Sequence, residues 1–254
     1  MKKIFTAGTN LLICVVLLGT VFQTNGISLS DEGASFSTDG ETLNERSIAV
    51  PNSTILLRLW ESYDDAGSIV PFYSISLDAG KTIVRTVQPS YELGFRYAQF
   101  DPLNGIPDME PLLTAGSDTH LFIVQFFTQP LEEFSEAITS LGGIVHHYIA
   151  QYAYLVEMDD AIREQVETLP YVRWIGPYHP AYRLEEILFE NVADAHQVYP
   201  LQRYNIQVLT SEQKSIVADR IADLGGIVDR EDAGKFLVEA TLTPDRKSVG
   251  DGKS

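Results

Sequence analysis

The chain has 254 residues, a length that allows one or two folded domains with connecting segments. Hydrophobic residues make up 44% and charged residues 21%, so the chain is neither disordered nor membrane-embedded over its whole length. The formal net charge of −17 repels phosphate backbones, and we therefore expect no nucleic-acid partner. Because Cys14 is the only cysteine, neither a disulfide framework nor a cysteine-based zinc site is predicted.

The first residues have the features of a secretory signal peptide. Lys2 and Lys3 precede an apolar stretch at residues 11–22, and small polar residues follow it. This pattern predicts a signal peptide at residues 1–26 and a secreted or cell-surface protein. An uncleaved anchor is the alternative, and it is the only membrane contact that we expect. Residues 27–47 are polar, acidic and rich in Ser, Gly and Thr, which predicts a flexible linker.

A β-rich lead-in region is predicted at residues 48–115. Residues 54–60 and 81–87 are rich in β-branched and other apolar side chains, which favours strands. Pro89, Gly94 and Pro102 interrupt the rest of the region. No chemistry can be assigned to this region from its sequence.

Residues 119–183 show the order βαββαβ. The predicted elements are a strand at 121–127, a helix from Pro130 to the Gly142-Gly143 pair, strands at 144–150 and 152–158, a helix from Asp159 to Pro170 and a strand at 172–176. Both helices must pack on one face of an antiparallel sheet, which predicts an α+β ferredoxin-like sandwich. The first and third strands are the most apolar and are therefore predicted to be central.

A second, incomplete copy of this unit is predicted at residues 203–244. The sequence LGGIV at residues 141–145 recurs at residues 224–228, and such self-similarity indicates a repeated unit. The fold prediction is thus tandem ferredoxin-like sandwiches. The second copy lacks a second helix and a fourth strand, which would leave its first strand as a bare edge. We therefore expect the sequence to be a fragment, with a non-native or disordered tail at residues 245–254; a genuine short tail is the alternative.

An ordered set of motifs resembles a known family. The set consists of FDPL at 100–103, LFIVQF at 121–126, LGG at 141–143, AYLV at 153–156 and VRWIGPYHP at 172–180. It resembles the N-terminal pro-region of secreted subtilisin-like serine proteases. The resemblance implies a ferredoxin-like propeptide that assists folding of a cognate protease domain, inhibits it and is then removed. The implied partner is that protease domain, in cis or, for a standalone protein, in trans.

The resemblance also implies a contact surface. In the family, the open face of the sheet packs on the protease, and the segment after the last strand lies in the substrate cleft. The matching segment, called the strap below, is Pro177, Tyr178, His179, Pro180, Ala181, Tyr182 and Arg183. Its two prolines predict an extended, stiff conformation. Because a second unit follows, the strap can alternatively be a bridge between two domains.

The sequence predicts no catalytic residue, no cofactor and no metal site. The Asp-Ser/Thr-Gly, His-Gly-Thr-His and Gly-Thr-Ser-Met/Ala motifs of the resembled family are absent, so the chain as given should not hydrolyse peptides. His146 and His147 are adjacent on a strand and face opposite sides, which prevents them from sharing one metal ion. Two further functions stay open, namely a standalone secreted inhibitor or surface protein and an amino-acid-binding regulatory module.

Overall fold

The computed structural model describes residues 14–17, 42–95, 97–183 and 202–242. These residues form a mixed α/β structure with antiparallel sheets and three α-helices. The first strand, β1 (Cys14–Leu17), lies inside the predicted signal peptide. Within the described ranges, no helix has the length and apolar character that crossing a membrane requires.

The lead-in region forms an antiparallel sheet. Its strands are β2 (Leu43–Ala49), β3 (Leu56–Tyr63), β4 (Ile69–Ser76) and β5 (Arg85–Val87), in that spatial order. Alternate side chains such as Leu57 and Tyr73 are fully buried on one face, as expected for a sheet with one covered face. The predicted linker extended to residue 47, whereas β2 already begins at Leu43. Strand β2 was not predicted because its sequence is polar, but it pairs with β3.

A short ribbon connects the lead-in sheet to the rest of the chain. It consists of β6 (Leu93–Gly94) and β7 (Gln99–Phe100), and a 3-10 turn follows at Pro111–Leu113. The lead-in region is thus β-rich, as predicted.

The central sheet contains the predicted βαββαβ elements. They are β8 (Leu121–Phe126), α1 (Glu132–Ser140), β9 (Ile144–Ile149), β10 (Ala153–Glu157), α2 (Asp160–Glu167) and β11 (Val172–Pro177). The strand order is β11-β8-β10-β9, with every neighbouring pair antiparallel. The two most apolar strands, β8 and β10, are central, which confirms the prediction for their positions.

Local sequence accounts for the ends of the two helices. Glu132 and Glu133 lie in the first turn of α1, where the helix dipole favours acidic groups. Gly142 ends that helix with φ +103°, a conformation that only glycine adopts without strain. The Asp159 side chain accepts a hydrogen bond of 2.8 Å from the Ile162 amide and caps α2.

The helices and one face of the central sheet enclose the largest apolar core. Phe134 of α1 stacks on Tyr171 with ring centroids 3.9 Å apart, and both residues are almost fully buried. Lead-in residues such as Leu57 and Ile75 belong to the same apolar cluster. The lead-in sheet therefore shares a core with the βαββαβ unit.

The second unit has the element order βαββ, the same as that of the first four elements of the central unit. Its elements are β12 (Gln202–Gln207), α3 (Gln213–Asp223), β13 (Ile227–Gly234) and β14 (Leu237–Leu242). The strand order is β1-β12-β14-β13. The prediction that β12 has a bare edge is wrong, because β1 pairs with it in the antiparallel sense. The predicted tail at residues 245–254 lies outside the described residues.

The turn between β9 and β10 carries local backbone strain that a substitution can relieve. Gln151 and Tyr152 have φ values of 67° and 64°, and the left-handed region costs a non-glycine residue about 1–2 kcal/mol. We expect Gln151→Gly to raise the free energy of unfolding by about 0.5–1 kcal/mol, since glycine relieves strain but loses more entropy on folding. Urea denaturation measures this difference.

Tyr152→Gly is the matched control in the same turn. The Tyr152 ring contacts Tyr73 and Tyr91 with centroids 5.9 Å and 6.2 Å away. Relief of strain is outweighed there by the loss of buried aromatic surface, so this variant should be less stable than the parent chain. Equal effects of the two substitutions would show that backbone strain does not determine the stability of this turn.

Candidate functional site

The second face of the central sheet, opposite the helices, is where the resemblance implies protein contact. Alternation along β8 places Leu121, Ile123 and Gln125 on this face. Ala153 and Leu155 of β10 lie beside them. All five are almost completely buried, so this face is closed in the structure.

A segment that precedes the sheet closes most of this face. Residues 91–113, called the cover below, contribute the buried side chains of Leu93 and Phe100 to the cluster over β8. Phe95 of the cover packs against the same cluster. The cover is thus a second layer on the sheet, and the open face that the resemblance implies is not observed.

A buried ion pair attaches the cover to the sheet. Both terminal nitrogens of Arg173 donate to the Asp101 carboxylate at 2.7 Å, and the two side chains are 7% and 17% exposed. Arg173 also donates to Gln125 at 2.7 Å, and its guanidinium lies 4.1 Å from the centroid of the Tyr91 ring. A bidentate pair of this kind is a strong and directional contact.

A β-bulge explains why Arg173 points toward the cover. Val172 lies opposite Phe126 and Trp174 lies opposite Gln125, so Arg173 is the extra residue between two paired positions. A bulge of this type re-aims a side chain. Arg173 and Trp174 consequently both contact groups on the second face.

Gln125 completes this polar network inside the apolar layer. Its amide nitrogen donates to the carbonyl oxygens of Tyr91 and Gln151 at 2.9 Å and 3.1 Å. Its amide oxygen accepts from Arg173. A buried amide with these partners carries no desolvation penalty for missing hydrogen bonds, so the network fixes the position of the cover.

The strap contributes the remaining part of this closed face. Pro180–Arg183 form a 3-10 turn rather than an extended segment, so the predicted extended conformation is wrong for these residues. Proline is compatible with the first position of such a turn because it needs no amide hydrogen there. Tyr182 stacks on Phe95 of the cover with centroids 4.4 Å apart. The Tyr178 amide donates to the Leu121 carbonyl at 2.9 Å.

The strap is therefore buried in its own chain. Tyr178, His179, Pro180, Ala181, Tyr182 and Arg183 are all buried, and Pro177 is half-buried. Contact between these residues and a protease stays a prediction, and it requires the strap to leave the cover.

His179 makes the strap sensitive to acid. Its Nδ1 accepts a hydrogen bond of 3.0 Å from the Ala115 amide, which requires the neutral form at that atom. Burial, and then the nearby Arg183 charge, lower the pKa of His179 below its ordinary value of 6.5. Protonation therefore costs more in the folded chain than in the unfolded chain.

We expect His179 to destabilise the fold as the pH falls. The pKa of His179 is lower in the folded chain than its ordinary value of 6.5. Above pH 6.5 the residue is mostly neutral in both states and costs no stability. As the pH falls below 6.5, the unfolded chain binds a proton more readily, so the free energy of unfolding decreases. The melting temperature of the parent chain should drop more between pH 7.5 and pH 5 than that of His179→Asn, whose side-chain oxygen can replace Nδ1 as acceptor. Parallel pH profiles for the two chains would contradict this role.

The described residues contain no group of three or more metal-ligating side chains. The His146 ring nitrogen lies 3.0 Å from the Glu157 carboxylate, and the His146 side chain is 7% exposed. His147 is exposed at its own strand position. Among the described residues, the site thus consists of an aromatic and aliphatic interface that contains the Asp101–Arg173 ion pair.

The sequence contained the two halves of the ion pair without indicating their contact. Asp101 lies in FDPL and Arg173 lies in VRWIGPYHP, and 72 positions separate them. Arg173 is a charged residue in the otherwise apolar strand β11. This position was the available signal of an ion pair, since a buried charge needs a partner.

Comparison with known proteins gives one match. Residues 94–179 match a family described as a domain of unknown function (DUF8729). No curated protein and no solved structure matches the chain. The matched range begins in the cover and ends in the strap, so it contains the ion pair together with the whole βαββαβ unit.

Proposed function

We propose that this chain is the pro-region of an exported subtilisin-like serine endopeptidase. In this role it assists folding of the catalytic domain, inhibits it, and has no peptidase activity of its own. The ordered motifs that resemble the family support the proposal, since they span the cover, the central sheet and the strap.

The strand order of the central sheet carries the proposal. An antiparallel order of β11-β8-β10-β9 with α1 and α2 against β9 and β11 is what a ferredoxin-like propeptide requires. We propose that the second unit is a further copy of this fold, because β12, β14 and β13 repeat the corresponding order. Such a rigid layered unit is suited to serve as a template for a partner surface.

The closed second face determines how inhibition would proceed. The strap cannot enter a substrate cleft while Tyr182 is stacked on Phe95. We therefore propose that the closed chain is latent and that inhibition requires release of the strap. A segment released from one packed surface can then pair with the cleft of the protease as an added strand.

Inhibition assays with the full chain test this proposal. The chain is added to a secreted subtilisin-like protease, and cleavage of a peptide substrate is followed over a range of concentrations. We expect only weak inhibition by the parent chain, in which the strap is packed on the cover, and stronger inhibition by Phe95→Ala because this variant loosens the strap without changing its sequence. Tyr63→Ala is the matched control, since Tyr63 is a 51% exposed aromatic residue of the lead-in sheet.

Refolding of the protease separates a pro-region from a simple inhibitor. A denatured catalytic domain should regain activity faster when the chain is present and is later digested. Inhibition without faster refolding would instead favour a standalone inhibitor. A folded chain that neither inhibits nor assists refolding would contradict the proposal.

A further inference from the structure

The outer edge of β12 is already occupied by a strand from a distant part of the chain. Cys14 lies opposite Gln207 and Leu17 lies opposite Tyr204, in antiparallel register. The occupying segment is short and uncharged, and it belongs to the apolar stretch of the predicted signal peptide. This edge of the second sheet therefore accepts an extended apolar segment by main-chain pairing.

The central sheet shows which element lies beside the first strand of a βαββαβ unit. There, the corresponding outer neighbour of β8 is β11, a strand of the same unit. Strand β12 resembles an inner strand, because Tyr204 and Ile206 are 5% and 1% exposed. An inner strand that loses its neighbour presents a row of unpaired amide and carbonyl groups.

Helix α3 leaves this edge accessible. The helix packs most closely against β13 and β14, the two strands farther from β1, and its side chains Val217 and Ile221 share an apolar cluster with β12. The face of β12 that carries Arg203 is polar, and Arg203 lies 3.5 Å from Asp229. Removal of β1 would therefore expose an edge that the helix does not cover.

We propose that the outer edge of Tyr204–Gln207 is a strand-acceptor site for an extended apolar segment of a protein partner. Strand β1 fills this site in the intact chain, and removal of the signal peptide makes the site available. This inference rests on the export step of the proposed function. A partner segment is favoured over a second copy, because the full sequence carries a net charge of −17 and loses Lys2 and Lys3 with the signal peptide, so two such chains repel each other.

Hydrogen exchange on the full chain tests the acceptor site. Those amides of Tyr204–Gln207 that point toward β1 should be protected in the parent chain, and Val15→Pro should speed their exchange by about tenfold or more, because proline breaks the pairing of β1. The amides that point toward β14 keep their partners and serve as an internal reference. A synthetic peptide with the sequence of residues 11–18 should restore protection in the Val15→Pro chain. The control peptide carries proline at positions 15 and 16.

The outcomes separate this proposal from its alternatives. Equal effects of the two peptides, or unchanged protection of β12 in the Val15→Pro chain, would overturn it. Protection that returns with rising protein concentration and without peptide would identify a second copy as the occupant. If β14 also loses protection, restoration of both strands by the peptide still supports the site, and its failure still contradicts it. None of these readouts depends on protease inhibition, so the proposed function can fail independently.

Discussion

Replacement of Arg173 by alanine is expected to lower the free energy of unfolding by about 3–5 kcal/mol, the usual cost of removing one partner of a buried ion pair. The Asp101 carboxylate, 17% exposed, would remain in the apolar layer without the guanidinium. Gln125 would lose the donor to its amide oxygen, and Tyr91 would lose its cation contact. Urea denaturation followed by tryptophan fluorescence measures the change, since Trp174 is adjacent in sequence.

Two control variants identify the source of this effect. Arg163 on α2 contacts Asp160 and Glu167 at 3.4 Å, with carboxylate side chains that are 77% and 63% exposed. Arg163→Ala should therefore cost less than about 1 kcal/mol. The double variant Arg173→Met with Asp101→Leu should be more stable than Arg173→Ala, because it leaves no unpaired buried charge. An Arg173→Ala chain as stable as Arg163→Ala would show that the ion pair does not hold the cover.

The same variant connects stability to the proposed release of the strap. The cover touches both the ion pair and Tyr182, so loosening it should make the strap accessible. Limited proteolysis should then cut Arg173→Ala in residues 91–113 earlier than it cuts the parent chain. If the first cut lies outside residues 91–113, the ion pair does not control the proposed release of the strap.

Local patterns in the sequence were sufficient for the elements of the central sheet. The apolar run at residues 121–127 indicated a strand that is either covered on both faces or central in a sheet. Strand β8 (Leu121–Phe126) is central, and all six of its residues are buried. Helix α1 followed from its apolar stripe and from Gly142 at its end. These signals succeed because they depend on neighbours within a few residues.

Features that depend on distant contacts were not predictable in the same way. The cover lies in a region with several prolines and glycines, and its burial results from packing on a sheet that begins at Leu121. The strap was predicted to be extended from Pro177 and Pro180, but its stacking on Phe95 favours a 3-10 turn. The pairing of β1 with β12 joins segments that no local pattern relates.

Phe134→Ala should lower the free energy of unfolding by as much as Arg173→Ala does. Phe134 lies in the core on the face of the central sheet opposite to the cover. Phe134 is fully buried, stacks on Tyr171 at 3.9 Å and lies 5.1 Å from the Phe126 ring. Removal of a buried phenylalanine ring costs about 3–5 kcal/mol, since lost apolar burial and the resulting cavity both contribute. Because this core also contains lead-in residues, the lead-in sheet should lose stability together with the helices.

Phe134→Leu distinguishes lost volume from lost ring contacts. Leucine fills most of the space but removes two aromatic pairs, each worth about 0.5–1.5 kcal/mol, so a loss of about 1–3 kcal/mol is expected. Tyr63→Ala, at a 51% exposed position, should change stability by less than about 1 kcal/mol. Hydrogen exchange should show faster exchange in β3 and α1 together for Phe134→Ala. Faster exchange in α1 alone would mean that the lead-in sheet and the βαββαβ unit are stabilised independently and do not share one cooperative core.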